Sequence, residues 1–86
     1  MTTKRKLHEL KIHPKYYSEL KSGNKTFEIR KNDRDFQEGD EVKFSEWADG
    51  HFTHAPPLWG NIGYITNFEQ KKGYVVFSVK IDKEDY

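Results

Sequence analysis

Apolar and polar residues alternate with a period of two in five stretches of the chain, and this alternation predicts five short β-strands. The last stretch has the cleanest pattern, with Val75, Phe77, Val79 and Ile81 on one face, so we expect it to anchor the core. The five strands are predicted at residues 7–12, 25–31, 41–47, 58–68 and 75–81.

One stretch near the start of the chain has helix signals instead. Pro14 suits the first turn of a helix, and Tyr17 and Leu20 recur one turn apart. Lys21 suits the negative C-terminal end, and Gly23 is a natural left-handed stop. These signals predict one helix of about two turns between the first and second strands.

The segments between the strands have the composition of turns and loops. Asn32–Asp35 and Glu38–Asp40 are predicted turns, because Asn, Asp and Gly tolerate left-handed backbone. Residues 48–57 contain an Asp-Gly pair and two prolines, and we predict an exposed loop there.

Two glycines complete the prediction of the fold. Gly60 and Gly63 indicate a bulge or bend in the fourth strand, on which Ile62 and Tyr64 are expected to share a face. Five short strands and one early helix predict an α+β fold, a small, curved, partly closed β-barrel whose helix caps an opening. We expect a single domain over residues 1–86.

Composition narrows the class of protein. Only 34% of the 86 residues are hydrophobic and the mean hydropathy is −1.03, but six Phe, five Tyr and two Trp supply large apolar contacts. The absence of cysteine excludes a disulfide framework and a thiolate zinc site. No stretch approaches the roughly 20 apolar residues that span a bilayer. We therefore expect a folded cytoplasmic domain without a membrane partner.

Charge is distributed unevenly, although the net charge is only +1. Residues 1–34 hold ten basic and four acidic residues, whereas residues 35–86 hold five basic and ten acidic ones. A basic side on a nearly neutral protein indicates a local contact with a polyanion. The alternative is that residues 1–6 are simply a flexible basic start.

The second predicted strand collects polar side chains on one face. Because side chains alternate between faces, Phe27 and Ile29 are expected to face the core. The other face then carries Thr26, Glu28 and Arg30, with Lys25 at the mouth of the strand. A carboxylate and a guanidinium about 7 Å apart can act on one small planar ligand, although such residues also occur on ordinary solvated strands. Three further cations extend this candidate ligand site: Lys21, Lys31 and Arg34.

Four segments, in chain order, have a family likeness: His8–Ile12, Gly23–Arg34, Glu38–Asp40 and Gly73–Val76. Together they resemble the ASCH domains, in particular a small single-domain bacterial and phage branch of unassigned function. The most specific element is a glycine-x-lysine followed by an acidic residue and an arginine on one strand. The resemblance implies a PUA-like β-barrel that binds RNA or a nucleotide-like ligand in a cleft near this element.

The same resemblance offers an enzymatic alternative. Some small ASCH proteins hydrolyse the acetyl amide of N4-acetylcytidine with a lysine, a threonine and a later glutamate. Lys25 matches the lysine, but Glu28 stands at the place of the threonine, and no later glutamate aligns. An enzyme would use Lys25, with Thr26 as a displaced nucleophile or Glu28 as a general base. We favour binding without catalysis, and a coactivator-like protein-interaction module using the sheet edge is a third possibility.

Trp47 and Trp59 bracket the predicted loop and complete the candidate ligand site. They could meet across its base and stack a nucleobase, the alternative being that they pack in the core. His51 and His54 lie within the loop but have no evident third ligand, so we predict no metal site. We also predict no cofactor, and RNA or a nucleotide-like small molecule as the partner.

Overall fold

A computed structural model describes residues 5–82, which form one helix and six strands. All five predicted strands and the predicted helix are present. In chain order the elements are β1 Leu7–Ile12, α1 Pro14–Ser22, β2 Phe27–Lys31, β3 Glu41–Ala48, β4 His51–Phe52, β5 Leu58–Thr66 and β6 Tyr74–Ile81. No helix within the described range is long and apolar enough to cross a membrane.

The predicted loop at residues 48–57 contains the extra strand. β4 pairs with the end of β3, so that Trp47 is opposite Phe52 and Ala48 is opposite His51. Asp49 and Gly50 both have positive φ, 53° and 83°, which is the backbone of a two-residue hairpin turn. The loop prediction was therefore wrong for residues 48–52, because the Asp-Gly pair forms the turn of a β-hairpin there.

The six strands form one sheet in the order β1-β3-β5-β6-β2, with β4 paired to β3 beside this path. β1 and β3 are parallel, and the other pairs are antiparallel. The parallel pair is possible because α1 and β2 lie between β1 and β3 in the chain and provide the long crossover that such a pair needs.

β1 and β2 are the two edges of the sheet, which is open along its hydrogen-bonded ladder within residues 5–82. Side chains link the edges instead. Arg30 Nη2 donates to the Lys11 carbonyl at 2.9 Å, and Arg34 Nη1 donates to the Glu9 carbonyl at 3.0 Å. This ladder does not establish the predicted, partly closed barrel, which stays a prediction.

The helix begins and ends where the sequence predicts. The His13 ring accepts a hydrogen bond from the Lys15 amide at 3.1 Å, and Gly23 ends the helix with φ 84°. Tyr17 and Leu20 face the core, and the Tyr17 hydroxyl donates to the Pro56 carbonyl at 2.7 Å. This bond ties the helix to the segment before β5.

One apolar core lies between the helix and the inner face of the sheet. Its most deeply buried side chains are Phe44, Phe77, Leu20 and Val42. The last strand does anchor this core, since Val75, Phe77 and Val79 are all buried.

β2 faces the opposite way from the sequence expectation. Glu28 is only 5% exposed, whereas Phe27 and Ile29 are 45% and 51% exposed on the outer face. The prediction that Phe27 and Ile29 face the core was wrong. Alternation sorts the residues into the same two groups in both cases, but the buried residue is Glu28, which belongs to the polar group. Two cations, Lys25 and Arg30, offset the cost of burying its charge.

The predicted bulge lies in β5. The pairing of β5 with β6 shifts between Ile62 and Ile65. As a result Ile62 is buried and Tyr64 is exposed, so the prediction that they share a face was wrong. The extra residue in a bulge moves the following side chain to the other side of the strand.

The predicted flexible start falls mostly on residues 1–4, which lie outside the described residues. Lys6, however, has fixed backbone partners. Its amide donates to Asp40 Oδ1 at 3.1 Å, and its carbonyl accepts from the Glu41 amide at 2.8 Å. The chain is therefore attached to the sheet from Lys6 onward.

Candidate functional site

Lys25, Glu28 and Arg30 form an ion-paired triad on the inner side of β2. Lys25 Nζ lies 3.0 Å from Glu28 Oε1, and Arg30 Nε lies 3.3 Å from Glu28 Oε2. Both cations are partly exposed, while the carboxylate between them is buried. Each oxygen of Glu28 is thus paired with one cation, and the two cations are held at fixed positions.

A cleft of about 840 Å³ lies on the Lys25 side of this triad, between the end of the helix and the start of β5. We call it the Trp59 cleft. Its walls are mostly apolar, and Lys21, Lys25, Lys80 and Asp82 supply its charges. The full lining is Tyr17, Leu20, Lys21, Ser22, Gly23, Lys25, Thr26, Pro56, Pro57, Leu58, Trp59, Val79, Lys80, Ile81 and Asp82.

Trp59 is the largest side chain of this cleft and is 42% exposed. Lys43 Nζ lies 5.4 Å from the centroid of its ring, a distance at which a cation is attracted to an aromatic face. Burial and the nearby charge of Glu46 raise the pKa of the Tyr17 hydroxyl, which lines the same cleft and donates to the Pro56 carbonyl. On one side of the cleft, Tyr17 and Pro56 are joined by a hydrogen bond, and the cleft also presents the exposed indole of Trp59.

A second cleft, of about 690 Å³, lies on the Arg30 side of the triad. We call it the Phe52 cleft, after the exposed aromatic residue of β4 that lines it. It is more polar than the Trp59 cleft, and Pro57 lines both. The full lining is Glu9, Leu10, Lys11, Arg30, Arg34, Lys43, Ser45, Glu46, Phe52, Thr53, Ala55 and Pro57.

The residues predicted for one site are divided among these places. The Trp59 cleft contains Lys21, Lys25, Thr26 and Trp59. The Phe52 cleft contains Arg30 and Arg34, and Glu28 lies between the clefts. Lys31 is exposed on the outer face opposite Tyr74 and lines neither cleft.

The two tryptophans have separate surroundings. Trp47 packs edge-on against Phe52, with ring centroids 4.7 Å apart. Lys11 Nζ lies 3.9 Å from the centroid of the Trp47 ring. Trp59 lines the other cleft. Trp47 therefore supports the aromatic residue of the Phe52 cleft.

Several cleft residues were not predicted from the sequence. Lys80 and Asp82 come from the end of β6, and Lys43 comes from β3, so only the strand order brings them to the clefts. Pro56 and Pro57 could be predicted only as loop residues. The one available signal was that Lys80 lies between the apolar Val79 and Ile81, which places it at an outward position of a strand.

A second buried polar pair joins β1 to the turn before β3. His8 Nε2 and Asp40 Oδ2 are 2.8 Å apart and both residues are buried. Burial raises the pKa of Asp40, but hydrogen bonds from His8 and from the amides of Lys6 and Gln37 outweigh it, so the pKa lies below its ordinary value. The His8 ring also packs on Phe36. Neither residue lines the Trp59 cleft or the Phe52 cleft, and the pair links β1 to the turn before β3.

Metal binding has no geometric support in the described part of the chain. No group of three or more His, Asp or Glu side chains within residues 5–82 is arranged to hold an ion. The groups that line the two clefts are cations, a smaller number of carboxylates, aromatic rings and hydroxyl groups.

Comparison with known proteins identifies the family. Residues 7–79 match the family described as "Domain of unknown function (DUF3850)". The chain is also 44% identical over 48 residues to an Escherichia phage P2 protein described as "Uncharacterized 12.9 kDa protein in GpA 3'region". That match covers 56% of this chain and 44% of the phage protein, so the chain spans less than half of its relative's length. Since the family match extends from β1 almost to the end of β6, the chain belongs to the DUF3850 family.

Proposed function

We propose that this protein binds single-stranded RNA or a nucleotide-like ligand in the Trp59 cleft. The observation that carries the proposal is an exposed indole beside three lysines, Lys21, Lys25 and Lys80. A nucleobase stacked on an aromatic side chain contributes roughly 1 to 3 kcal/mol, and lysines bind the phosphates that accompany it.

The charge balance of the cleft supports a polyanionic ligand. Three lysines and one carboxylate, Asp82, line this cleft, and its walls are otherwise mostly apolar. Charges beside apolar walls are screened less by water than charges on an open surface, so their attraction for phosphate is stronger. The base would stack on Trp59 while the phosphates contact the lysines.

The ion-paired triad has a positioning role in this proposal. Glu28 is already paired with Lys25 and Arg30, so it holds these cations at the two clefts and does not itself accept a hydrogen bond from the ligand. A lysine fixed in this way loses less side-chain entropy on binding than one that is free to rotate.

We further propose that the DUF3850 fold is an ASCH-type, PUA-like barrel that acts in the cytoplasm. In support, the glycine-x-lysine element joins the end of α1 to β2 and lines the Trp59 cleft. Two hydrogen bonds to β1 carbonyls, from Arg30 on β2 and from Arg34 just after it, also support a nearly closed barrel. RNA is the ligand that this relationship favours.

Binding of a labelled single-stranded RNA hexamer, measured by fluorescence anisotropy, tests the proposed function. We expect saturable binding that Trp59→Ala and Lys80→Ala each weaken about tenfold. Lys31→Ala is the matched control, because it removes an exposed lysine that lines neither cleft. The proposal fails if no saturable binding occurs at low salt, or if the Lys31 variant loses as much affinity as the Lys80 variant.

A hydrolase acting on a modified nucleoside is the second candidate, and one observation favours it. Lys25 and Thr26 line the same cleft, so an activated hydroxyl beside a lysine is geometrically possible. Against it, both oxygens of Glu28 are occupied by cations, which leaves this carboxylate poorly placed to act as a general base. We expect no cytidine from N4-acetylcytidine above background. Turnover that is abolished by Lys25→Ala would instead establish the hydrolase.

A further inference from the structure

The Phe52 cleft, like the Trp59 cleft, contains an exposed aromatic side chain and several cations. Phe52 is 55% exposed, and four cations line the same cleft: Lys11, Arg30, Arg34 and Lys43. Two carboxylates are also present, but both have partners. Glu9 Oε1 lies 3.5 Å from Lys43 Nζ, and Glu46 Oε1 accepts a hydrogen bond from the Thr53 hydroxyl at 2.7 Å. Each cleft thus combines one exposed aromatic side chain with an excess of positive charge.

The arginines of the Phe52 cleft keep donors for a ligand. One terminal nitrogen of each arginine donates a hydrogen bond to a β1 carbonyl, at 2.9 Å for Arg30 and 3.0 Å for Arg34. A guanidinium has five N–H groups, so further donors remain on both side chains. The carbonyl bonds hold the guanidinium groups in place, and Trp47 holds Phe52 by its edge-on contact.

The two clefts are also adjacent. Pro57 lines both clefts. The triad also connects them, because Lys25 lines one cleft, Arg30 lines the other, and Glu28 is ion-paired with both of these cations. Their volumes are similar, and each falls in the range of sites that hold one small ligand. A ligand occupying only one cleft would leave an equivalent set of groups unused beside it.

We infer that the ligand is an oligonucleotide that crosses Pro57 and places one base against Trp59 and another against Phe52. This inference rests on the proposed function and extends it from a single nucleotide to a single-stranded segment. The cations along both clefts would follow the phosphates between the two stacked bases, as in other proteins that track single strands.

A length series tests the inference. Affinities are measured by isothermal titration for uridine monophosphate and for single-stranded oligouridylates of two, four and six nucleotides. We expect the hexamer to bind at least about tenfold more tightly than the monophosphate, because a second stacked base adds its own binding energy. In Phe52→Ala the ratio of the two affinities should fall several-fold.

Phe68→Ala is the matched control, because Phe68 is an exposed phenylalanine that lines neither cleft, and it should keep the wild-type ratio. Thermal melting of each variant confirms that it is folded. If the monophosphate binds but the hexamer binds no more tightly, or if Phe52→Ala keeps the ratio, the inference fails while the proposed function stands. If no ligand of the series binds, the proposed function fails as well.

Discussion

Glu28 is a buried carboxylate on β2, and each of its two oxygens is paired with one cation, Lys25 or Arg30. Its neighbours Phe27 and Ile29 are the apolar residues of β2, yet they are exposed and Glu28 is buried. The alternation defined the two groups correctly but did not say which group faces inward. That choice depends on Lys25 and Arg30, whose charges offset the cost of burying a carboxylate. No local pattern contains this information.

Substitutions in β2 should therefore have unusual effects on stability. We expect Glu28→Ala to lower the free energy of unfolding by about 1 to 3 kcal/mol, because it leaves two partly buried cations without their carboxylate. Phe27→Ser should cost less than Glu28→Ala, since much of the phenyl ring is already in water. Urea denaturation of both variants measures the difference. A Glu28→Ala variant as stable as the wild type would mean that the triad does not support the fold.

Asp40 should make the stability depend on pH at the acid end. Its pKa in the folded state lies below the ordinary value of 3.8, because three hydrogen bonds favour the carboxylate. A lowered folded pKa stabilises the fold above pH 3.8, and this contribution is lost as the pH falls from there through the folded pKa. Urea midpoints should fall over this window in the wild type. Asp40→Asn should be less stable at pH 7 and should show a smaller fall.

The matched control for this measurement is Asp33→Asn, because Asp33 is an exposed carboxylate in the turn after β2. This variant should keep the wild-type fall in stability at acid pH. If Asp40→Asn and Asp33→Asn have the same acid profile, the His8–Asp40 pair does not carry the pH dependence.

At the level of elements, the signals that proved reliable were those with a local physical cause. Pro14 marks the start of the helix and Gly23 marks its end. The alternation in β3 and β6 identified strands with a buried face. β4 was missed although its cause is local, because an Asp-Gly pair is found in hairpin turns as well as in loops. The exposure of Tyr64 depends on longer-range geometry, because the bulge shifts the register of β5 against β6.

The glycines of β5 should differ in their tolerance of a side chain. A Cβ atom at Gly60 would lie 2.5 Å from the Lys80 carbonyl oxygen, which is backbone of the neighbouring strand and cannot easily move. We expect Gly60→Ala to lower the free energy of unfolding by about 1 to 3 kcal/mol. At Gly63 the nearest atom is the Ser78 hydroxyl, so Ser78→Ala should rescue much of the loss in Gly63→Ala. Thermal denaturation measures each variant, and equal tolerance at both positions would contradict the register of β5 against β6.

At the scale of the whole molecule, the uneven charge of the sequence is only a partial guide to the site. The basic first part of the chain contributes Lys21, Lys25, Lys11, Arg30 and Arg34 to the two clefts. Lys43 and Lys80 come from the acidic part, and they join the others only through the order β1-β3-β5-β6-β2. The sequence therefore predicted only part of the set of residues that line the two clefts, because strand order is not encoded in any local alternation.

The clustering of cations should make RNA binding strongly dependent on salt. Each phosphate neutralised on a single strand changes the slope of log affinity against log salt by about −0.7. Three lysines at the Trp59 cleft therefore lead us to expect a slope of about −2 or steeper. Lys80→Ala should make the slope shallower by about 0.7, whereas Lys31→Ala should leave it unchanged. A slope near zero in the wild type would exclude phosphate contacts.

The most direct measurement is the fluorescence of Trp59 itself during titration with single-stranded RNA. The chain has two tryptophans, so Trp47→Phe leaves Trp59 as the single reporter, and the phenyl ring preserves an aromatic contact with Phe52. If a base stacks on Trp59, its emission should be quenched in a saturable way, at the concentrations that give half-maximal anisotropy change with labelled RNA. Binding by anisotropy without any change in Trp59 emission would place the RNA elsewhere on the molecule and contradict the site.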